Sequence, residues 1–296
     1  MQEAKEFPKM REIYGSLVFD QKAMKQRLPR DVYENLVGAI EGRQKLDSGI
    51  ADTVALAMKD WAVSKGASHW AHWFHPLTEL TAEKHTAFVT ADENGFPLES
   101  FRGEDLMQSE PDASSFPSGG TRSTFEARGY SAWDPTSPAF IIKSPKGGTL
   151  CIPSVFLAYD GTPLDLKTYL LRSMEAVESR ALKMLKLFGN RGVRYVRATV
   201  GGEQEFFLLD RPRAQKRTDI RFCGRTLLGS PPPRDQKMED HYFGSIPTRV
   251  LAYMEDVQRD LARLGVDLAT RHNEVARCQF EFAPNFTEAN LSCDQN

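Results

Sequence analysis

The sequence has almost no net charge: 38 Lys and Arg stand against 40 Asp and Glu, a formal balance of −2. A near-neutral chain sets up no broad field for nucleic acid or an anionic membrane, so neither partner is expected. Cysteine is scarce, with four residues far apart at 151, 223, 278 and 293 and no CxxC spacing. That suits isolated reduced thiols better than a disulfide frame or a zinc ribbon. No apolar run approaches the roughly 18 residues of a membrane span, and the opening MQEAKEFPKMREIYG lacks the basic-then-apolar layout of a signal peptide, so a cytoplasmic protein is expected. Internal repeats and low-complexity segments are also missing. What remains is the composition of a globular protein, 41% hydrophobic and 26% charged, over 296 residues. That length holds about two domains.

The texture of the chain changes twice. In residues 1–64 apolar positions recur at helical spacing: Val32, Leu36 and Ile40 after Pro29, then Val54, Ala55, Met58, Trp61 and Ala62 after Asp47, which predicts two short helices as an N-terminal appendage. From 65 to 159 come short alternating or aromatic runs such as HWAHWF, TAFVTA and TLCIPSVFLAY, separated by ENGFP, SFPSGG, DPTSP and SPKGG; these predict a mostly β unit. From 160 to 296 helices and strands alternate. Asp165 caps a long helix with an apolar stripe of Leu170, Met174, Val177, Ala181, Met184 and Leu187, closed by Gly189. VRYVRATV and EQEFFLLD predict strands, Pro247 opens another helix closed by Gly265, and the stretch from 266 to 286 resumes β character. Helices followed by a β unit, then mixed elements, make an α+β chain of unlike parts.

In an extended EQEFFLLD strand, Glu203 and Glu205 share a face with Phe207 and Leu209, while Gln204, Phe206 and Leu208 take the other. On a solvated face two carboxylates are unremarkable. On an enclosed one they raise each other's pKa unless a cation lies between them, and a hard divalent ion with oxygen ligands removes that cost. A second acidic pair, Glu274 and Glu281, is seven residues apart, an odd spacing that puts the two on opposite faces of one strand. Both reach one site only if the chain turns or bulges around Arg277 and Cys278; otherwise one is a surface charge. Four carboxylates from two β segments suit a two-metal site that holds phosphates in phosphoryl transfer.

Other chemistries fit less well. His69, His72 and His75, with His85 nearby, invite zinc, but spacing three on a strand turns neighbours to opposite faces and the aromatic context favours packing. Gly119-Gly120 is followed by neither a Walker lysine nor a GxGxxG helix. Two acidic neighbours would raise the Cys278 thiol pKa, which argues against a catalytic cysteine.

Five stretches carry a resemblance that spans nearly the whole chain: HWAHWFHPLTELTAEKH (69–85), EPDASSFPSGGTRSTFEARGYSAWDPTSPAF (110–140), GGEQEFFLLD (201–210), GRTLLGSPPP with EDHYFGSIP (224–247), and TRHNEVARCQFEFAPNFTEAN (270–290). In this order they resemble type III glutamine synthetase. The resemblance implies a β-grasp-like domain over 65–159 and the first part of a glutamine-synthetase-type catalytic α/β domain over 160–296. It implies ligation of ammonia to the γ-carboxylate of L-glutamate through a γ-glutamyl phosphate, with ATP as co-substrate, Mg²⁺ or Mn²⁺, and active sites between the subunits of a ring-shaped homo-oligomer. By position, Glu203 matches the ligand of the phosphate-side metal. Glu205, Glu274 and Glu281 match those of the metal near the substrate carboxylate, Glu274 also lying near the glutamate and ammonium positions. Asp112 and Ser115 match the aspartate and serine that a neighbouring subunit brings to ammonium. Where the family usually carries Pro-Gly, this chain has Arg277-Cys278; the family's later motifs are absent from these 296 residues, so the resemblance is to its N-terminal part. Two other readings keep the residues but change the outcome: a catalytically inactive fragment or metal- or subunit-binding module, and a γ-glutamyl ligase for another amine.

Overall fold

The apolar positions of the N-terminal segment turn inward together, and what they meet is a sheet. The structure, a computed structural model, describes residues 8–42, 44–77, 81–109, 129–229 and 241–296. It opens with α1 (Met10–Ile13), α2 (Gln21–Arg27), α3 (Arg30–Ile40) and α4 (Ala51–Ser64). The first two are short turns that periodicity did not reveal. The Asp20 side chain opens α2 by accepting from the Ala23 N–H at 2.8 Å, an N-cap that replaces one missing helical partner. Val32 and Leu36 of α3 and Val54, Ala55, Met58, Trp61 and Ala62 of α4 are buried, as their spacing predicts.

The sheet is built on β1 (His69–Trp73), β2 (Thr86–Ala87), the separate ribbon β3 (Val89–Ala91) with β4 (Pro97–Glu99), then α5 (Gly103–Met107), β5 (Gln108–Ser109), β6 (Gly129–Trp133), β7 (Phe140–Ser144) and β8 (Gly147–Ala158). Its order is β2-β1-β8-β6-β5, with β7 also on β8. β8 is the organiser: its first half pairs β7 on one side and, in parallel, β1 on the other, while its second half pairs β6. Buried on both faces, it reads as a near-continuous apolar run rather than a strict alternation. Leu150 and Ile152 join Trp70, Ile141, Leu36, Met58 and Trp61 in one core, so the N-terminal helices and the sheet share their interior.

The chain then runs through α6 (Leu166–Leu187), β9 (Thr199–Val200), β10 (Gln204–Phe207), α7 (Arg211–Ala214), α8 (Thr218–Cys223), α9 (Thr248–Arg263), β11 (Leu268–Asn273), β12 (Gln279–Pro284), β13 (Thr287–Glu288) and α10 (Ala289–Gln295). Asp165 caps α6 through the Thr168 N–H at 3.2 Å. The predicted apolar stripe runs along this helix, yet Val177, Met184 and Leu187 are exposed. VRYVRATV departs from its predicted strand: only Thr199 and Val200 pair, with β13. Upstream the backbone finds a side chain instead of a strand, Val196 N–H donating to Glu178 Oε1 at 3.0 Å.

β10, β12 and β11 form an antiparallel sheet in that order, backed by α9 through Val250, Met254, Phe280 and Phe282. Residues 15–19 stitch α9 to the first sheet: Leu17 N–H donates to Arg263 C=O, and Ile141 N–H of β7 donates to Leu17 C=O, each at 2.9 Å. No described helix is long and apolar enough to cross a membrane.

Candidate functional site

The β10-β12-β11 sheet separates apolar from acidic side chains by register. Gln204 faces Phe282 and Phe206 faces Phe280 across β10 and β12, so these four residues share the α9 side. There Phe206 stacks on Phe282 with ring centroids 5.1 Å apart. On the opposite face Glu205 pairs with Glu281, and Glu281 pairs on its other edge with His272 of β11. Directly opposed like charges destabilise a strand pair, so apolar packing on one face holds an unfavourable arrangement on the other.

Glu203 lies just before β10, and its carboxylate comes together with those of Glu205 and Glu281: one oxygen from each lies within 4.8 Å of the other two. A second group joins it through the same residue, His272, Glu274 and Glu281, under the same distance limit. Among the described residues these are the two clusters of three or more His, Cys, Asp or Glu side chains so placed. Glu281 is shared by both and is 5% exposed, whereas Glu203 and Glu205 are open to solvent.

Glu274 joins because the chain turns sharply between β11 and β12. Its N–H donates to Gln279 C=O at 2.9 Å, and Gln279 N–H donates to Ala276 C=O at 3.1 Å. Cys278 takes φ +64°, and among the described residues it is the one non-glycine residue with positive φ. This is the bend that the seven-residue spacing required, made at the position where glycine would be easiest. A β-carbon in the left-handed region costs roughly 1–2 kcal/mol, partly offset by the greater unfolded-state freedom of glycine. Cys278→Gly is therefore expected to stabilise the chain by about 0.5–1 kcal/mol in urea denaturation. A loss of stability would show that the thiol makes compensating contacts.

Electrostatics mark Glu281 as the centre of the cluster. Burial, then its hydrogen bond with Glu274 and the charge of Glu203, push its carboxyl up to about 7. Glu274 moves the other way: the hydrogen bond from Glu281 holds it below the usual carboxylate range. The two carboxyls thus titrate as a pair that holds one proton well above the ordinary carboxylate range. Glu205 is held by Gln279, whose Nε2 donates to Oε2 at 2.6 Å.

Sequence reasoning missed His272. Its Nδ1 lies 2.8 Å from Asn273 C=O and donates to it, since a carbonyl oxygen only accepts. Nε2 lies 3.7 Å from Glu281 Oε2 and faces the carboxylates. The Tyr242 ring sits 5.1 Å from the imidazole, and Asn273 Nδ2 donates to Gly244 C=O at 2.6 Å, which ties the loop before α9 to this end of β11. The signal was in the sequence, since His272 is two residues before Glu274, but the register that seats it beside Glu281 was not.

The other candidates disperse. His72 is buried against Asp105 C=O at 3.0 Å, and burial lowers its pKa to about 4. His69 bonds Ser68, His75 meets Asp294, and His85 meets Glu83 and Thr149. Cys278 is exposed and all four thiols are free. Asp112 and Ser115 lie outside the described residues.

The donor set suits a hard divalent cation. Carboxylate oxygens from four glutamates are the ligands that such an ion takes, and its charge would offset both the burial and the neighbouring carboxylates that raise Glu281.

Comparison with known proteins adds an independent line. Residues 10–173 match the family described as glutamine synthetase type III N terminal, and residues 178–296 match the glutamine synthetase catalytic domain. The chain is 47% identical over 288 residues to a glutamine synthetase of Bacteroides fragilis (strain YCH46), covering 97% of this chain and 39% of that protein. It is 46% identical over 293 residues to the type-3 glutamine synthetase of Dictyostelium discoideum, again covering 97% of this chain and 39% of that one. Among solved structures, the glutamine synthetase of Plasmodium falciparum aligns with a TM-score of 0.47 at 14% identity, covering 78% of this chain and 43% of its own. The chain thus spans about two fifths of the length of the curated relatives it matches.

Proposed function

This chain belongs to the type III glutamine synthetase family, and from that premise we propose that it carries the carboxylate-lined half of an active site joining ammonia to the γ-carboxylate of L-glutamate at the expense of ATP. The observation that carries the reading is the convergence of Glu203, Glu205, Glu274 and Glu281, from two β segments, on one face of a sheet. In this reading Glu203 holds a metal on the phosphate side, while Glu205, Glu274 and Glu281 hold a second near the substrate carboxylate. Mg²⁺ or Mn²⁺ bound there would neutralise phosphate charge and favour attack on the γ-glutamyl phosphate.

The chain's own groups supply the rest. Glu274, which converges with Glu281 and His272 at the turn, presents an anion toward the ammonium position. An ammonium ion needs such an anion before it can give up a proton and expose its lone pair. Asp112 and Ser115 are proposed for that role from a neighbouring subunit, within a homo-oligomeric ring. The Nε2 of His272 adds a nitrogen beside Glu281 and Glu274.

A second reading is favoured by the exposed apolar residues of this part of the chain, among them Leu187, Phe188, Phe222, Leu228 and Phe243. Surfaces of this kind suit burial against further protein, and the chain alone would then be an inactive, metal-binding, subunit-associating module. One pair of assays separates the readings. Purified chain is titrated with Mn²⁺ and assayed for γ-glutamyl transfer, with and without a complementing C-terminal segment. Binding without transfer by the isolated chain is expected of the module, and transfer by the chain alone refutes it. Glu205→Ala is expected to weaken Mn²⁺ binding about 10–100-fold, and unchanged affinity would sink the metal assignment.

A further inference from the structure

Away from the acidic face, a second set of charges meets in the interior. Lys167, in the first turn of α6, places Nζ 2.5 Å from Asp294 Oδ2 of α10 and 2.9 Å from Asp134 Oδ2 just after β6, and donates to Ser137 Oγ at 3.2 Å. The other oxygen of Asp294 meets His75 Nε2 at 3.1 Å. Asn290, one turn earlier on α10, gives its amide to Asp134 Oδ2 and Thr136 Oγ1, each at 2.9 Å, and to Ser137 Oγ at 3.2 Å. Lys167, Asp134 and Asn290 are all buried. The node therefore ties together the ends of β1 and β6, the start of α6 and the whole of α10.

What the node holds is α10, and α10 borders the run of chain entering the acidic strand. Ala289 N–H donates to Ala198 C=O at 3.0 Å, Thr287 and Glu288 pair with Val200 and Thr199, and Gln204 Nε2 donates to Asn296 C=O at 2.8 Å. Gly202 packs so closely that a β-carbon there would stand 2.7 Å from Asn296 Oδ1. Apolar packing alone lets a short helix slide along its seat, whereas charge-assisted hydrogen bonds fix one position.

We propose that Lys167 is a positioning residue for the acidic face: through Asp294 and Asp134 it seats α10, and through α10 it sets the run 198–204 so that Glu203 and Glu205 reach Glu281. The functional consequence rests on the metal reading above; the mechanical link does not.

The test uses the whole chain and two variants. Lys167→Met combined with Asp134→Asn and Asp294→Asn removes the node's lysine and both aspartates together, leaving neither sign of that pair buried without its partner. Asn290→Ala keeps the ion pairs and removes only the amide bridges. Amide hydrogen exchange and Mn²⁺ titration are measured well below the unfolding midpoint. Both variants are expected to exchange about 10-fold faster at residues 198–204, with β6 and β8 unchanged, and to bind Mn²⁺ about 10-fold more weakly. Exchange at 198–204 that stays at the wild-type rate in the variants that fold overturns the proposal, as does equal acceleration throughout the chain. If the wild-type chain binds no Mn²⁺ while exchange still rises locally, the positioning link stands and the metal reading falls.

Discussion

Glu281→Gln is expected to weaken Mn²⁺ binding about 100-fold or more and to erase most of its pH dependence near neutrality, since this residue belongs to both clusters of the acidic face. The sign follows from its raised carboxyl. Below about 7 Glu281 carries a proton that an incoming ion must displace, so affinity rises as pH passes through this value and levels off above it. Titration calorimetry in two buffers of different ionisation enthalpy would show about half a proton released per ion near pH 7 in the wild type, rising toward one about a pH unit lower, and almost none in the variant. Without metal the linkage has a second face. The folded chain holds the Glu281 proton more tightly than the unfolded chain, so stability falls as pH rises from the ordinary carboxylate range toward 7. Glutamine cannot titrate, and the variant should lose that decline. An unchanged pH profile would mean that another group carries the titration.

Lys167→Met alone should destabilise the chain by about 3–5 kcal/mol, because two buried carboxylates lose their cation. Burial pushes Asp294 upward, but the hydrogen bond from His75 and the charge of Lys167 outweigh it and hold the carboxyl below its ordinary value. Burial likewise pushes Lys167 down, and Asp134 and Asp294 outweigh that, so the ammonium is raised. A depressed acid contributes stability above its unfolded value and loses it as pH falls through the folded one. A raised base contributes below its unfolded value and loses it as pH rises through the folded one. Lys167 and Asp294 are therefore both charged, and both contributing, across the neutral range. With methionine at 167, Asp294 loses the ammonium that helps to offset its burial and its carboxyl rises, so the variant should be less stable at pH 8 than at pH 5. Urea denaturation at both values tests this; a loss that is the same at both would assign the effect to packing rather than charge.

The carboxylates were legible because strand alternation is strict. Glu203 and Glu205 fall on one face as their spacing requires, with Phe206 on the other, and the seven-residue gap from Glu274 to Glu281 demanded a turn that the structure makes at Cys278. The helices were legible where a cap coincided with a period: Asp165 opening α6, and Gly265 at φ +73° closing α9. Pairing was hidden. His272 belongs with Glu281 only through the β11–β12 register, and Lys167 with Asp134 and Asp294 only through folding of distant segments, because no local pattern records which charge meets which across the chain. The failed strand at VRYVRATV has the same origin. Its β-branched residues favour extension, but a strand also needs an edge to pair with, and α6 offered a glutamate instead.

β8 has a kinetic consequence. Its parallel pairing with β1 joins His69 to Thr149, so the sheet cannot close until the whole intervening chain is in place. Non-local pairing of this kind bears a loop-closure cost before any contact repays it, and it slows folding. During synthesis Trp70, Ala71 and Trp73 emerge long before the strand that covers them, along with the apolar faces of α3 and α4. The early chain must therefore pass through a stage in which its stickiest surface is made and unprotected, and β8, arriving last, ends that exposure in one step.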